Sequence, residues 1–146
     1  MATSTESHRR DFAPSPTMTH PDASKTVDQV YQILHVWFTV LPIVAGVDKF
    51  LHLLVNWDEY LAPVIAQLSP IGGHNLMLVV GVIEIVAGLI TWFKPRFGGY
   101  LVAVWLWGIV LNLLLHAEYF DIAVRDFGLS LGALALARLA AAFERA

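Results

Sequence analysis

The stretch HNLMLVVGVIEIVAGLITWFKPRFGGYLVAVWLWGIVLNLLLH (74–116) holds two apolar runs separated by the short basic turn KPRFG (94–98). Each run is about 20 residues long, the length of α-helix that crosses a hydrocarbon layer of roughly 30 Å. A turn this short makes its two helices antiparallel neighbours. The stretch therefore reads as a transmembrane hairpin, with spans over about 74–93 and 100–116. Upstream, VYQILHVWF (30–38) continues through Pro42 to DKFLHLLV (48–55), a first span over about 30–55. It is longer than a bilayer requires, so it is tilted or emerges at one end. A last apolar run covers about 122–143. Between the first two spans, NWDEYLAPVIAQLSPIGG (56–73) is too short and too interrupted by Pro63 and Pro70 to cross. Its Trp, Tyr and scattered apolar residues suit a segment lying in the membrane interface. The fold class is all-α, a four-helix transmembrane bundle over 29–146. Residues 1–28, rich in Ser, Thr and Pro, are a polar tail expected to be disordered or held by a partner. That tail lacks the apolar stretch and cleavage site of a secretory signal.

Composition agrees. With 57% hydrophobic and 14% charged residues and a mean hydropathy of +0.62, the chain is too apolar for a soluble domain of its size. Arg9, Arg10, Lys25, Lys94, Arg96, Arg138 and Arg145 lie on one side of the layout, while NWDEY (56–60) and HAEYFD (116–121) make the other side acidic. The asymmetry of Lys and Arg places both termini in the cytoplasm and the chain in the inner (cytoplasmic) membrane. A net charge of −3 with no basic stripe argues against a nucleic-acid partner. The absence of cysteine excludes disulfides, thiolate metal sites and iron–sulfur clusters carried by this chain alone.

The polar residues sort by depth. Ten residues at about 1.5 Å each put Glu84 some 15 Å below His74, near the midplane. An ionisable group there costs at least about 2–3 kcal/mol and is a functional candidate. Gly81, Glu84 and Gly88 share one narrow face, so Glu84 points into the bundle where a second helix approaches closely. The first span carries Asp48, Lys49 and His52 near its outer end, with Asp48 and His52 four residues apart on one face. Asn112 and His116 continue a stripe from Gly108 on the third span, and Arg125 and Asp126 open the fourth. Asp48, Lys49, Arg125 and Asp126 form a candidate ion network, and a buried network of this kind must pair its own charges. Asp48, Lys49, His52, Glu84, Asn112 and His116 are the candidates for contact with a ligand or quinone. His52, His74 and His116 share one depth, which admits non-covalent haem b or a divalent metal as lesser alternatives to a quinone. Gly128 and Gly132 in GLSLG (128–132) are, with Gly81 and Gly88, candidate helix-packing positions. The pairs Glu59-Tyr60 and Glu118-Tyr119 recur at the acidic loops, either as a trace of duplicated hairpins or as a shared interfacial preference of tyrosine.

Over roughly residues 31–140 the chain resembles the DoxX-like membrane proteins, small four-helix proteins related to a subunit of a thiosulfate:quinone oxidoreductase. GVDKF (46–50) is similar to the family's Gly-x-x-Lys near the end of the first helix. GVIEIVAG (81–88) is similar to its Gly-x-x-Glu-x-x-x-Gly second helix, and KPRFG matches its basic turn. The chain departs from the pattern in NWDEYLAP (56–63) and in carrying Gln32 and His35 where an early Arg is often found. The resemblance implies that Lys49 and Glu84 are the residues to follow, and that the protein partners a membrane redox enzyme. Three functions are consistent with the residues: a quinone-linked membrane subunit, anchor or part of a quinone site; a purely structural accessory subunit of a respiratory or photosynthetic assembly; or a small transporter or proton relay through Glu84. Each implies lipid and, for the first two, other membrane subunits as partners. No nucleotide loop or metalloprotease motif is present, so catalysis by this chain alone is not expected.

The charge asymmetry generates a direct test of orientation. Because the chain has no cysteine, single cysteines at Asp58 or Glu118 should react with a membrane-impermeant thiol reagent in intact cells, and terminal tags should stay protected. Protection of both loops would reverse the orientation.

Overall fold

The computed structural model of the chain describes residues 21–145. They form α1 (Pro21–Leu51), a 3-10 turn (Trp57–Tyr60), α2 (Pro63–Leu68), α3 (Gly73–Phe93), α4 (Pro95–His116) and α5 (Phe120–Phe143), and no strand occurs among the described residues. Four of these helices are long and apolar enough to cross a membrane, over 29, 21, 22 and 24 residues. The four-helix transmembrane bundle read from the sequence is present, and the chain has the architecture of a multi-pass membrane protein.

The helix ends follow from local chemistry. α1 stops where His52 adopts a left-handed φ of 52°. α3 starts after Gly72, whose φ of 83° suits a residue without Cβ. Pro95 opens α4 at the first helical position, where a missing N–H costs nothing. Two boundaries differ from the sequence reading. α1 begins at Pro21, so residues 21–28, assigned above to the polar tail, extend the helix; residues 1–20 of that tail lie outside the described residues. Of KPRFG, only Lys94 interrupts the helices, and Gly98 and Gly99 belong to α4. Their smallness is what brings the neighbours close: a Cβ on Gly98 would fall 2.3 Å from Thr91 Cα, and one on Gly99 would fall 2.8 Å from the Ala133 carbonyl oxygen.

The spans associate as two close pairs, α1 with α3 and α4 with α5, linked by the α3–α4 hairpin. The first pair is a glycine seam. A Cβ on Gly46 would lie 2.5 Å from the Gly81 carbonyl oxygen, and one on Gly88 would lie 2.7 Å from that of Thr39. Gly81 and Gly88 thus stand at a helix–helix contact. Gly132 faces the Phe38 ring, with 3.0 Å from its would-be Cβ to Cζ. Gly128 does not pack as expected: nothing lies within 4 Å of its would-be Cβ, because one turn beyond Gly132 it lies on the outer surface of α5.

Phe38, Ala87, Val102, Ala103, Leu106, Ala133 and Leu136 form a buried layer drawn from all four spans. On one side of this layer is a basic end. There Tyr31 packs on Phe143 with ring centroids 4.8 Å apart, and Arg96 pairs with Glu144 at 3.0 Å. His35 Nε2 donates to the carbonyls of Thr91 (3.0 Å) and Trp92 (3.2 Å). Those carbonyls close α3 and lack partners within the helix. The other, acidic end carries the 3-10 turn and α2.

Gly88→Leu would force the α1–α3 seam apart and is expected to destabilise the protein by about 1–3 kcal/mol or more. Gly128→Leu should be tolerated. Thermal unfolding in detergent measures both, and equal tolerance at the two sites would contradict the seam.

Candidate functional site

Helix α1 stops about a turn and a half past Gly46, whereas α3 starts more than two turns before Gly81. The side chain of Lys49 therefore enters the bundle well below the end of α3. Its Nζ lies 2.6 Å from Glu84 Oε2, and both side chains are buried, 4% and 6% exposed. The Trp105 indole N–H reaches Glu84 Oε1 at 3.4 Å. Lys49 Nζ also sits 3.7 Å from the ring centroid of Trp57, a cation–π contact that gains strength when desolvated. The carboxylate and ammonium are thus each covered by a tryptophan.

The network expected among Asp48, Lys49, Arg125 and Asp126 does not form. Lys49 is taken by Glu84. Asp48 makes no ion pair with it and accepts the Trp57 indole N–H (2.6 Å) and the backbone N–H groups of Leu53 (2.9 Å) and Leu54 (3.0 Å). Three N–H donors satisfy its carboxylate, so it needs no cation. Arg125 bonds its own neighbour Asp126 at 3.0 Å, and its side chain is 63% exposed while that of Asp126 is 8% exposed. Asp48 and His52 do not share a face either, since α1 ends at Leu51 and the left-handed turn at His52 swings the imidazole towards His74.

Asn112 is bonded twice to the interfacial segment: its amide donates to the Tyr60 carbonyl (2.7 Å) and its oxygen accepts the Ala62 N–H (2.9 Å). It positions that segment, and it also lines the cavity described below. His116 packs edge-on against Tyr119 at 4.9 Å with Glu118 3.9 Å away. Tyr60 and Tyr119, the two recurring tyrosines, meet with ring centroids 4.8 Å apart. Desolvation, then the Glu118 and Glu59 carboxylates, push the Tyr119 phenol above its ordinary range.

Between the two helix pairs, on the acidic side of the buried layer, lies a cavity of about 690 Å³. Its walls are overwhelmingly apolar, including Leu41, Met77, Val80, Leu106 and Ile109, and the 3-10 turn and α2 cover it with Trp57, Tyr60 and Ile65. Lys49, Glu84, Trp105, Asn112 and Asp126 supply the polar groups. Trp37, Val44 and Leu54 in the wall are at least about half exposed, so the cavity opens to the surface of the bundle. None of His35, His52, His74 and His116 lines it. Sequence reasoning missed both tryptophans of the pair. The signal for Trp57 was present, an indole in a short loop directly after the helix that carries Lys49.

Comparison with family models, with curated proteins and with solved structures found no match.

Lys49→Met leaves the Glu84 carboxylate buried without its cation and is expected to cost about 3–5 kcal/mol. Replacing both with Met should recover much of that loss, since an apolar pair carries no desolvation penalty. Thermal unfolding of the two variants in one detergent reads the difference, and a double variant less stable than Lys49→Met would contradict a direct pair.

Proposed function

We propose that this protein is a quinone-binding membrane subunit of a redox-linked complex, with the quinone headgroup seated against Lys49, Glu84 and Trp105. One observation carries the reading: an apolar cavity of about 690 Å³ that ends on a buried ion pair and opens on the bundle surface. Ligand cavities of roughly 300–1,000 Å³ are commonly apolar, with a few convergent polar groups that fix orientation. A quinone matches this division, because its carbonyls accept hydrogen bonds from an ammonium or an indole N–H while its tail needs an apolar exit. The resemblance to DoxX-like proteins through GVDKF and GVIEIVAG supports the same assignment. On this reading the electrons come from a partner redox subunit, and the chain sits in the cytoplasmic membrane with both termini inside.

A purely structural bundle gives no reason for the cavity. A proton relay through Glu84 requires a polar route to the basic end, and the layer of Phe38, Ala87, Val102, Ala103, Leu106, Ala133 and Leu136 stands across it. Haem b is not favoured, because no imidazole faces the cavity.

The test is a fluorescence titration of the purified protein with a short-tailed quinone, since Trp37, Trp57 and Trp105 line the cavity. Wild type should show saturable quenching. Gly108 lines the cavity with nothing within 4 Å of its would-be Cβ, so Gly108→Phe should fold normally and bind at least about tenfold more weakly. Equal affinity in the two proteins would overturn the assignment.

A further inference from the structure

At the acidic end, apart from the cavity lining, three segments bring together His52 at the end of α1, Asp58 in the 3-10 turn and His74 in the first turn of α3. One ligand-capable atom from each lies within 4.8 Å of the other two. His74 Nδ1 is 2.7 Å from Asp58 Oδ2, and the His52 and His74 rings stack with centroids 5.9 Å apart. A hydrogen-bonded His–Asp pair beside a stacked ring accounts for part of this arrangement, and two observations go beyond it. Asp58 Oδ1 is shielded from solvent and has no hydrogen-bond donor, an arrangement that buried carboxylate oxygens rarely tolerate. His52 holds a left-handed backbone, φ 52°, a conformation strained for a residue with a Cβ and usually left to Gly or Asn. That conformation is what carries its imidazole to His74. The other cations near this end are committed, Lys49 to Glu84 and Arg125 to Asp126.

We propose that His52, Asp58 and His74 hold a divalent transition-metal ion of the Zn2+ class. Two imidazoles and one carboxylate form a borderline N/O donor set that suits Zn2+, whose tetrahedral sites often keep a fourth position for water. In such a site the ligand atoms stand about 3.3 Å apart, given metal–ligand distances of about 2.0–2.1 Å. The cluster therefore needs only small side-chain shifts. The ion supplies the missing partner of Asp58 Oδ1 and offsets the strain at His52. It also ties the turn bearing Trp57 and Tyr60 to α1 and α3. Those two side chains form part of the cavity wall, so the metal braces the cover of the cavity whatever occupies it.

The test uses the full, tag-free chain in detergent, stripped with chelator and titrated calorimetrically with Zn2+ alone. The expected result is one ion per chain. His52→Asn keeps a residue at ease in the left-handed region, and with Asp58→Asn and His74→Gln it should lower affinity at least about a hundredfold, beyond the roughly 10–100-fold typical of outer-shell losses. Asp121→Asn, an exposed carboxylate at the same end, should bind like wild type. Independently of any variant's folding, Co2+ added to the wild-type protein should give the intense visible absorption of a tetrahedral site, and Zn2+ should abolish it. Binding unaffected by the three substitutions, or a weak octahedral Co2+ spectrum, would overturn the site.

Discussion

A lysine and a glutamate buried together in an apolar bundle restrict everything around them. Each would be costly alone, and their attraction offsets that cost only at contact distance and with the remaining polar atoms covered. The 2.6 Å pair between Lys49 and Glu84 meets both conditions, through Trp57 over the ammonium and Trp105 beside the carboxylate. Contact requires that α1 and α3 approach without intervening side chains. Gly46, Gly81 and Gly88 provide that approach, each within 3 Å of the facing backbone once a Cβ is imagined. The glycines and the ion pair are therefore one device. Without the seam the charges separate, and without the pair the seam would have Glu84 facing an apolar helix.

The cavity follows from the same arrangement. α1 is committed to α3 and α4 to α5, and the two pairs close on each other around Phe38 and Gly132 and at the basic end. On the acidic side a cavity lies between them, covered by the 3-10 turn and α2. That cover is fixed from two directions. Asp48 gathers the N–H groups of Leu53, Leu54 and Trp57, and Asn112 bonds to Tyr60 and Ala62. Asp48 and Asn112 thus hold the cover in place, and Asn112 also lines the cavity.

The four spans were legible because length and hydropathy alone nearly determine a transmembrane helix. The inward face of Glu84 was legible too, since Gly81 and Gly88 flank it at helical spacing. Its partner was not. Counting residues along α1 put Lys49 at the outer boundary, but α3 projects beyond the end of α1, and the lysine stem reaches further still. The ion network among Asp48, Lys49, Arg125 and Asp126 failed for a related reason. Depth places residues on a common layer but says nothing of rotation about each helix, and Asp48 and Arg125 are turned elsewhere. Gly128 misled for a simpler reason: its spacing with Gly132 is right, but α5 has no neighbour on that side one turn further on. Asp58 escaped notice because its place beside His52 and His74 depends on how the loop folds back, which no helical periodicity encodes.

Photo-crosslinking in native membranes can test the proposed quinone site in the space headed by Lys49 and Glu84. An azidoquinone should label residues of the cavity wall, such as Met77, Leu106 and Ile109, and excess unlabelled quinone should suppress those adducts. Adducts confined to outward-facing residues such as Val104 and Val124, or adducts insensitive to competition, would contradict it.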